Sequence, residues 1–327
     1  MSNVTANSTA TKPAAAGPHQ SIPLDGPQEQ FAAELFDTLW DRYRARVSHV
    51  ATYEKVIRDH GATFVNDHIA FRTLATEQPL AGIANVSRIF EALGYRSAGV
   101  YNFPDKHLSA IHFQHRNPGF PKLFISELKS WELSTSARQT IERNLAQHRR
   151  PIDGATLAEL ARIETAHVAE RAALVSRVVS EFHELPWTPP EAADVEALNK
   201  ESQYAAWVLV HGYNVNHFTS LINSHGVAPL GDIEKTIAAL QKAGVPMKAE
   251  IEGERGSKLR QSATEAAMID VDVRKNGQSE KMPWTYAYFE LAERGDVLDP
   301  ETNKPTRFEG FLGPQATQLF EMTRVKA

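Results

Sequence analysis

The sequence predicts an α+β fold in which two tandem βαβββ units form a curved mixed sheet around a pocket, with a helix in front and a helical insert between the units. Three observations carry this reading. A histidine lies in a strand-like segment at the start of each unit, in FVNDHIAFRT (64–73) and in YNVNHFTSLIN (213–223). A helix ending on glycine follows each one, with 26 residues from His68 to Gly94 and 27 from His217 to Gly244. EALGYR (91–96) resembles QKAGVP (241–246), and FISEL (124–128) resembles AYFEL (287–291), in the same order and with similar gaps.

The elements follow in chain order. Residues 1–27 are polar and rich in Pro, Ala and Thr, which predicts a disordered tail. From residue 28 to 327 we expect a single domain. Phe31, Leu35, Leu39, Tyr43 and Val47 recur every fourth residue and mark one face of a long helix. In the first unit (64–128) the period changes to two, placing Val65, Ile69 and Phe71 on one face and His68, Ala70 and Arg72 on the other. A helix with Val86, Ile89, Phe90 and Leu93 ends at Gly94 and is followed by strand-like segments near 95–101, 107–115 and 122–128. Residues 129–205 are helical in spacing and break at Pro186-Trp187-Thr188-Pro189-Pro190, which reads as an insert. The second unit (212–292) repeats the pattern. It has a helix carrying Ile233, Ile237 and Leu240, then strand-like stretches near 247–252, 265–273 and 284–292, before a C-terminal segment at 293–327.

Composition narrows the chemistry. The chain has 327 residues, 42% of them hydrophobic, enough for a sizeable core. A net charge of −5 gives no electrostatic footprint for nucleic acid or an anionic membrane. The absence of cysteine excludes disulfides and thiolate ligands, so a metal would be held by His, Asp or Glu. No apolar run reaches the ~18–20 residues of a membrane span, and the N-terminus lacks signal-peptide and transit-peptide features, so a cytoplasmic location is expected.

A lone histidine in an apolar strand is usually a packed core residue. Two at equivalent places in a duplicated unit are better candidates for ligands. With Glu127 and Glu290 near the ends of the last strands, they offer two imidazoles and up to two carboxylates, a donor set that suits Fe(II), Mn(II), Ni(II) or Zn(II). Arg72 faces the same side as His68 and stands ~13 Å further along the strand. It offers a fork for a carboxylate, or else is a surface or ion-paired arginine. Its counterpart in the second unit is Leu221. The loop at 252–264 carries Arg260, Gln261 and Ser262. It either covers the cavity or is a plain surface loop, and its glycines fit no phosphate-binding pattern.

DHIAFRTL (67–74), VNHFTSLIN (215–223), AYFELAER (287–294) and RFEGFLGPQA (307–316) resemble the 2-oxoadipate dioxygenase/decarboxylase (2-hydroxyglutarate synthase) family of the vicinal-oxygen-chelate superfold, over residues 30–325. The resemblance implies a metal site of His68, His217 and Glu290 holding Fe(II), with Arg72 as a catalytic, substrate-binding residue and Glu127 outside the ligand set. It further implies a reaction with O₂ in which 2-oxoadipate loses CO₂ and becomes 2-hydroxyglutarate, as in lysine degradation. Two alternatives keep the fold: a glyoxalase-like isomerase or extradiol-type enzyme with Glu127 as a fourth ligand to Zn or Ni, and a small-molecule-binding protein without catalysis.

Overall fold

The computed structural model describes residues 17–76, 78–149, 153–313, 320 and 323. The chain opens with α1 (Gly26–Arg46), which has Pro27 in its first turn, and continues into α2 (His49–Asp59). The first half of the sheet follows as β1 (Asn66–Ala75), α3 (Ile83–Ala92), β2 (Tyr95–Phe103), β3 (Leu108–His115) and β4 (Lys122–Lys129). Five helices come next: α4 (Thr135–Leu145), α5 (Gly154–Leu160), α6 (Val168–Glu181), α7 (Ala192–Glu201) and α8 (Gln203–His211). The second half comprises β5 (Val215–Leu221), α9 (Ile233–Lys242), β6 (Leu259–Ala263), β7 (Met268–Lys275), β8 (Gln278–Thr285) and β9 (Glu290–Arg294). A short pair, β10 (Asp296–Leu298) and β11 (Pro305–Arg307), leads into the C-terminal segment.

Seven strands form one curled sheet in the order β2-β3-β4-β1-β5-β9-β6. The halves meet where β1 and β5 pair antiparallel, His68 opposite Thr219, Ile69 opposite Phe218, and Ala70 opposite His217. This register is a pseudo-twofold centred on Ile69 and Phe218, so that His68 and His217 are equivalent. Each half keeps the same internal order, its first strand parallel to its last and its third antiparallel to that last strand.

Both central strands are buried along their whole length because each face is covered. On the convex face Phe218 packs against Trp40 and Tyr43 of α1, with ring centroids 5.1 and 5.0 Å apart, and Phe289 lies 4.6 Å from Tyr53 of α2. Each buried phenylalanine contributes ~1.5–3 kcal/mol of transfer free energy. The concave face carries the pocket.

Four expectations are corrected. Residues 17–27 are not a free tail: His19 is buried, its backbone N–H donates to Asp37 Oδ1 at 3.0 Å, and its ring lies 2.8 Å from the same oxygen, while residues 26 and 27 begin α1. Residues 1–16 lie outside the described residues. The third strand of the second half is 259–263, placed by the sequence in a loop, and its five residues are all buried. The 247–252 stretch is reduced to isolated bridges, Met247 to Thr264 and Glu252 to Gln261. The strand expected near 265–273 leaves the main sheet, since β7 pairs with β8 in a separate hairpin. Asn276 and Gly277 turn that hairpin with φ of 54° and 78°, the left-handed pair a tight hairpin turn requires.

Candidate metal centre and pocket

Two β-bulges build the site. Between Asn66 and His68 the pairing with β5 skips Asp67, and between His217 and Val215 the pairing with β1 skips Asn216. These are equivalent positions in the two halves. An extra residue in a strand twists it locally and re-aims the neighbouring side chains. Here each bulged residue reaches the adjacent histidine: Asp67 Oδ2 lies 2.7 Å from His68 Nδ1, and Asn216 Oδ1 lies 3.0 Å from His217 Nδ1. With each Nδ1–H donating, each Nε2 lone pair is left for the pocket.

Both Nε2 atoms converge on one carboxylate. His68 Nε2 is 3.2 Å from Glu290 Oε1, and His217 Nε2 is 3.3 Å from Glu290 Oε2. Ligand atoms of the three residues lie within 4.8 Å of one another, and all three side chains are buried. Burial opposes ionisation of Glu290, but His217, His68 and the Gln261 amide hold its carboxyl below the ordinary range. Burial pushes His217 down to about 3, leaving it neutral with its lone pair available. Burial also acts on His68, yet Asp67 and Glu290 outweigh it and hold that ring above its usual value.

These residues fit a divalent metal. Glu290 is fully buried and its Oε2 accepts no hydrogen bond among the described residues, an arrangement that costs free energy unless a cation compensates it. Two neutral-capable imidazoles and one carboxylate on one side of an ion leave its other positions facing the cavity, as in 2-His-1-carboxylate sites. Thr219 Oγ1 lies 3.0 Å from His68 Nε2, and its hydroxyl can turn to another acceptor when that lone pair is taken.

Glu127 does not join them. Its Oε2 accepts a hydrogen bond from Ile83 N at 2.8 Å, at the start of α3. The sheet register shows why. Ala70 pairs with Phe124 and its equivalent Thr219 pairs with Glu290, so Glu290 corresponds to Phe124. The counterpart of Glu127 is Glu293, three residues past Glu290, whose Oε2 accepts from Ile233 N at 2.7 Å at the start of α9. The duplication is real, but pairing FISEL with AYFEL slips it by three residues. The four-ligand alternative built on Glu127 fails with that slip.

A cavity opens in front of the three residues, with about 430 Å³ of space between atoms that includes the solvent at its mouth. Arg72 lines it as expected, buried rather than at the surface. Its Nη1 donates to Thr323 Oγ1 at 2.7 Å and its Nη2 to Phe320 O at 3.2 Å; it also shares a hydrogen bond with Tyr288. From α8, Tyr204 and Trp207 flank the guanidinium at 5.0 and 5.3 Å. These two residues of α8 thus back Arg72 without lining the cavity themselves. Gln261 also lines the cavity and donates to Glu290 Oε1, whereas Arg260 turns away to Glu234 and Glu293.

Sequence reasoning missed the supports. Asp67 is gripped by Arg294, with Nε to Oδ1 at 2.6 Å and Nη2 to Oδ2 at 2.8 Å. Burial works against the Asp67 anion, but Arg294, Lys122 and the contact with His68 hold it well below the usual carboxylate range. Phe311, in the C-terminal segment, sets its ring 4.9 Å from that of His68. The visible signals were the Asp and Asn directly preceding the two histidines. The Arg294 pairing, 227 residues away from Asp67, leaves none.

No helix among the described residues is long and apolar enough to cross a membrane. Residues 35–307 match the model of the family described as 2-oxoadipate dioxygenase/decarboxylase. The chain is 28% identical, over 95% of its length and 83% of the relative's, to the chloroplastic/amyloplastic 2-oxoadipate dioxygenase/decarboxylase of Oryza sativa. The Arabidopsis thaliana chloroplastic enzyme of that name is also 28% identical, over 79% of this chain and 67% of the relative. Among solved structures, the Oryza sativa hydroxyglutarate synthase in complex with 2-oxoadipate superposes with a TM-score of 0.73 at 25% identity, covering 97% of this chain and 98% of the other. A Ralstonia eutropha protein of the glyoxalase superfamily shares the fold, with a TM-score of 0.75 at 24% identity over 84% and 87% of the two chains. With most of its length matched by the family model, the chain belongs to the 2-oxoadipate dioxygenase/decarboxylase family.

Proposed function

We propose that this protein is an Fe(II)-dependent dioxygenase that converts 2-oxoadipate and O₂ to 2-hydroxyglutarate and CO₂. The observation that carries the reading is one cavity with His68, His217 and Glu290 at one end and Arg72, on the same strand face as His68, at the other. A metal there would be held by His68 Nε2, His217 Nε2 and Glu290, and bound Fe(II) supplies open positions for a chelating 2-oxo acid and for O₂, together with the redox chemistry their reaction needs.

The chain's own residues orient the substrate and keep out water. Arg72 presents a planar fork suited to a carboxylate. Since the metal end takes the 2-oxo acid group, the fork takes the distal carboxylate, exchanging its present contacts with Thr323 and Phe320. Tyr204 and Trp207 fix the guanidinium plane from the insert side. Phe124, Phe311, Phe320 and Ala70 give the cavity apolar walls that favour the methylene chain and exclude water from the reacting end. Gln261 holds Glu290 in place by donating to Oε1. Burial raises the Tyr288 phenol well above its ordinary range, so it stays protonated beside His217, with ring centroids 4.7 Å apart.

The test is anaerobic loading with Fe(II), then oxygen uptake with 2-oxoadipate. One O₂ consumed per 2-hydroxyglutarate and per CO₂ supports the reading. Metal retained without oxygen uptake on any 2-oxo diacid would refute the dioxygenase assignment.

A further inference from the structure

Arg294 stands outside the cavity lining yet touches both structures that shape it. Its Nε and Nη2 grip the two oxygens of Asp67, which holds His68 Nδ1. Its Nη1 donates to the carbonyls of Phe308 at 3.0 Å and Gly310 at 2.8 Å. Its guanidinium lies 5.3 Å from the Phe311 ring centroid. The far side of this C-terminal stretch is held by the first half of the sheet: Phe311 N donates to Tyr101 Oη at 3.2 Å, and Gln114 Nε2 donates to Glu309 O at 3.2 Å.

A guanidinium has five donors in a rigid plane, so two can serve a carboxylate while a third serves carbonyls on another side. Arg294 is 2% exposed and Asp67 is 3% exposed, so neither can turn to water if the other moves. Any shift of residues 308–311 therefore removes acceptors and an aromatic face from Arg294, and loosens the partner that fixes Asp67. Any loosening of Asp67 frees the His68 ring.

We propose that Arg294 is a positioning residue that ties the orientation of His68 to the seating of residues 308–311 over the pocket. The inference rests on His68 being a metal ligand. It adds a coupling, in which the seating of residues 308–311 and assembly of the metal site are one event rather than two.

The test measures Mn(II) affinity, from the free-ion EPR signal, and amide hydrogen exchange of residues 308–311 in the same variants of the full chain. Arg294→Gln should weaken Mn(II) binding at least tenfold, the usual cost of losing a group that orients a metal-binding histidine, and should speed exchange of the segment by at least as much. Arg294→Lys, which keeps the charge but not the fork, should recover part of both effects. Asp67→Asn is the decisive variant: it lies across the guanidinium from the segment, and it should still speed exchange at 308–311 while weakening Mn(II). Exchange unchanged in Asp67→Asn, or only one of the two properties altered in Arg294→Lys, would overturn the coupling. His68→Ala serves as the control. If it binds Mn(II) like the wild type, the metal-site reading has failed rather than the link through Arg294.

Discussion

The two halves of the sheet share a scaffold and divide the chemistry between them. Both carry a bulge before a histidine, a helix ending on a positive-φ glycine, and a glutamate receiving the first N–H of that helix. At three other equivalent positions they differ. Glu290 stands where the first half has Phe124, Arg294 where it has Leu128, and Leu221 where it has Arg72. On the proposed reading the second half provides the anionic ligand and the clamp on the ligand's support, while the first provides the cation for a substrate carboxylate. Duplication accounts for the paired imidazoles. Differences at a few sheet positions give this symmetric frame a pocket with the two imidazoles and Glu290 at one end and Arg72 at the other.

The largest test of that division lies at the metal. His68→Ala, His217→Ala or Glu290→Ala should each abolish oxygen uptake and lower Fe(II) affinity by well over tenfold, whereas Glu127→Ala should keep its iron. Metal analysis after anaerobic loading distinguishes them. Loss of iron from Glu127→Ala with retention in Glu290→Ala would reverse the assignment of the halves.

The next effect belongs to Arg72. Arg72→Ala should raise KM for 2-oxoadipate by one to three orders of magnitude, since a charge-assisted bidentate contact in a partly dry pocket is worth roughly 2–4 kcal/mol. The rise should be much smaller for 2-oxohexanoate, which has no second carboxylate, and iron content should not change. Equal losses for the two substrates would take the distal-carboxylate role away from Arg72.

A smaller effect concerns what braces the first half from outside. His19 connects Asp37 of α1 to the Asn66 amide at the start of β1, with His19 Nε2 3.0 Å from that amide. Removing residues 1–25 should lower the melting temperature by several degrees, because Asp37 and Asn66 lose a buried partner at ~1–3 kcal/mol each. An unchanged melting temperature would show that this contact contributes nothing to stability.

The smallest expected effect probes the symmetry directly. Glu127→Gln and Glu293→Gln remove charge from equivalent helix starts, and each should cost ~0.5–1 kcal/mol in denaturant unfolding. Arg260 also contacts Glu293, at 3.3 Å, so the second variant should cost slightly more. A large difference between them would mean that the shared cap is not what sets their contribution.

Much of this was legible in the chain itself. The alternation around His68 and His217, the glycines closing α3 and α9, and the fourfold spacing of α1 are local patterns, fixed by the periods of strand and helix, and they hold in the structure. The equivalence of the two histidines followed from spacing alone. Which glutamate matched which did not. Short strands rich in Phe, Leu and Glu align at several offsets, and only hydrogen-bonded register chooses among them. An offset of three is odd, so it moves a side chain to the opposite face of the sheet. That is the difference between a carboxylate in the pocket and one capping a helix. The loop at 252–264 misled for a related reason: β6 is recognisable as a strand only through its pairing with β9. The reach of Arg294 to Asp67 and the return of Phe311 and Phe320 to the pocket depend on contacts across more than two hundred residues. Such contacts leave no periodic trace, because their energy comes from complementarity that exists only once both halves have folded.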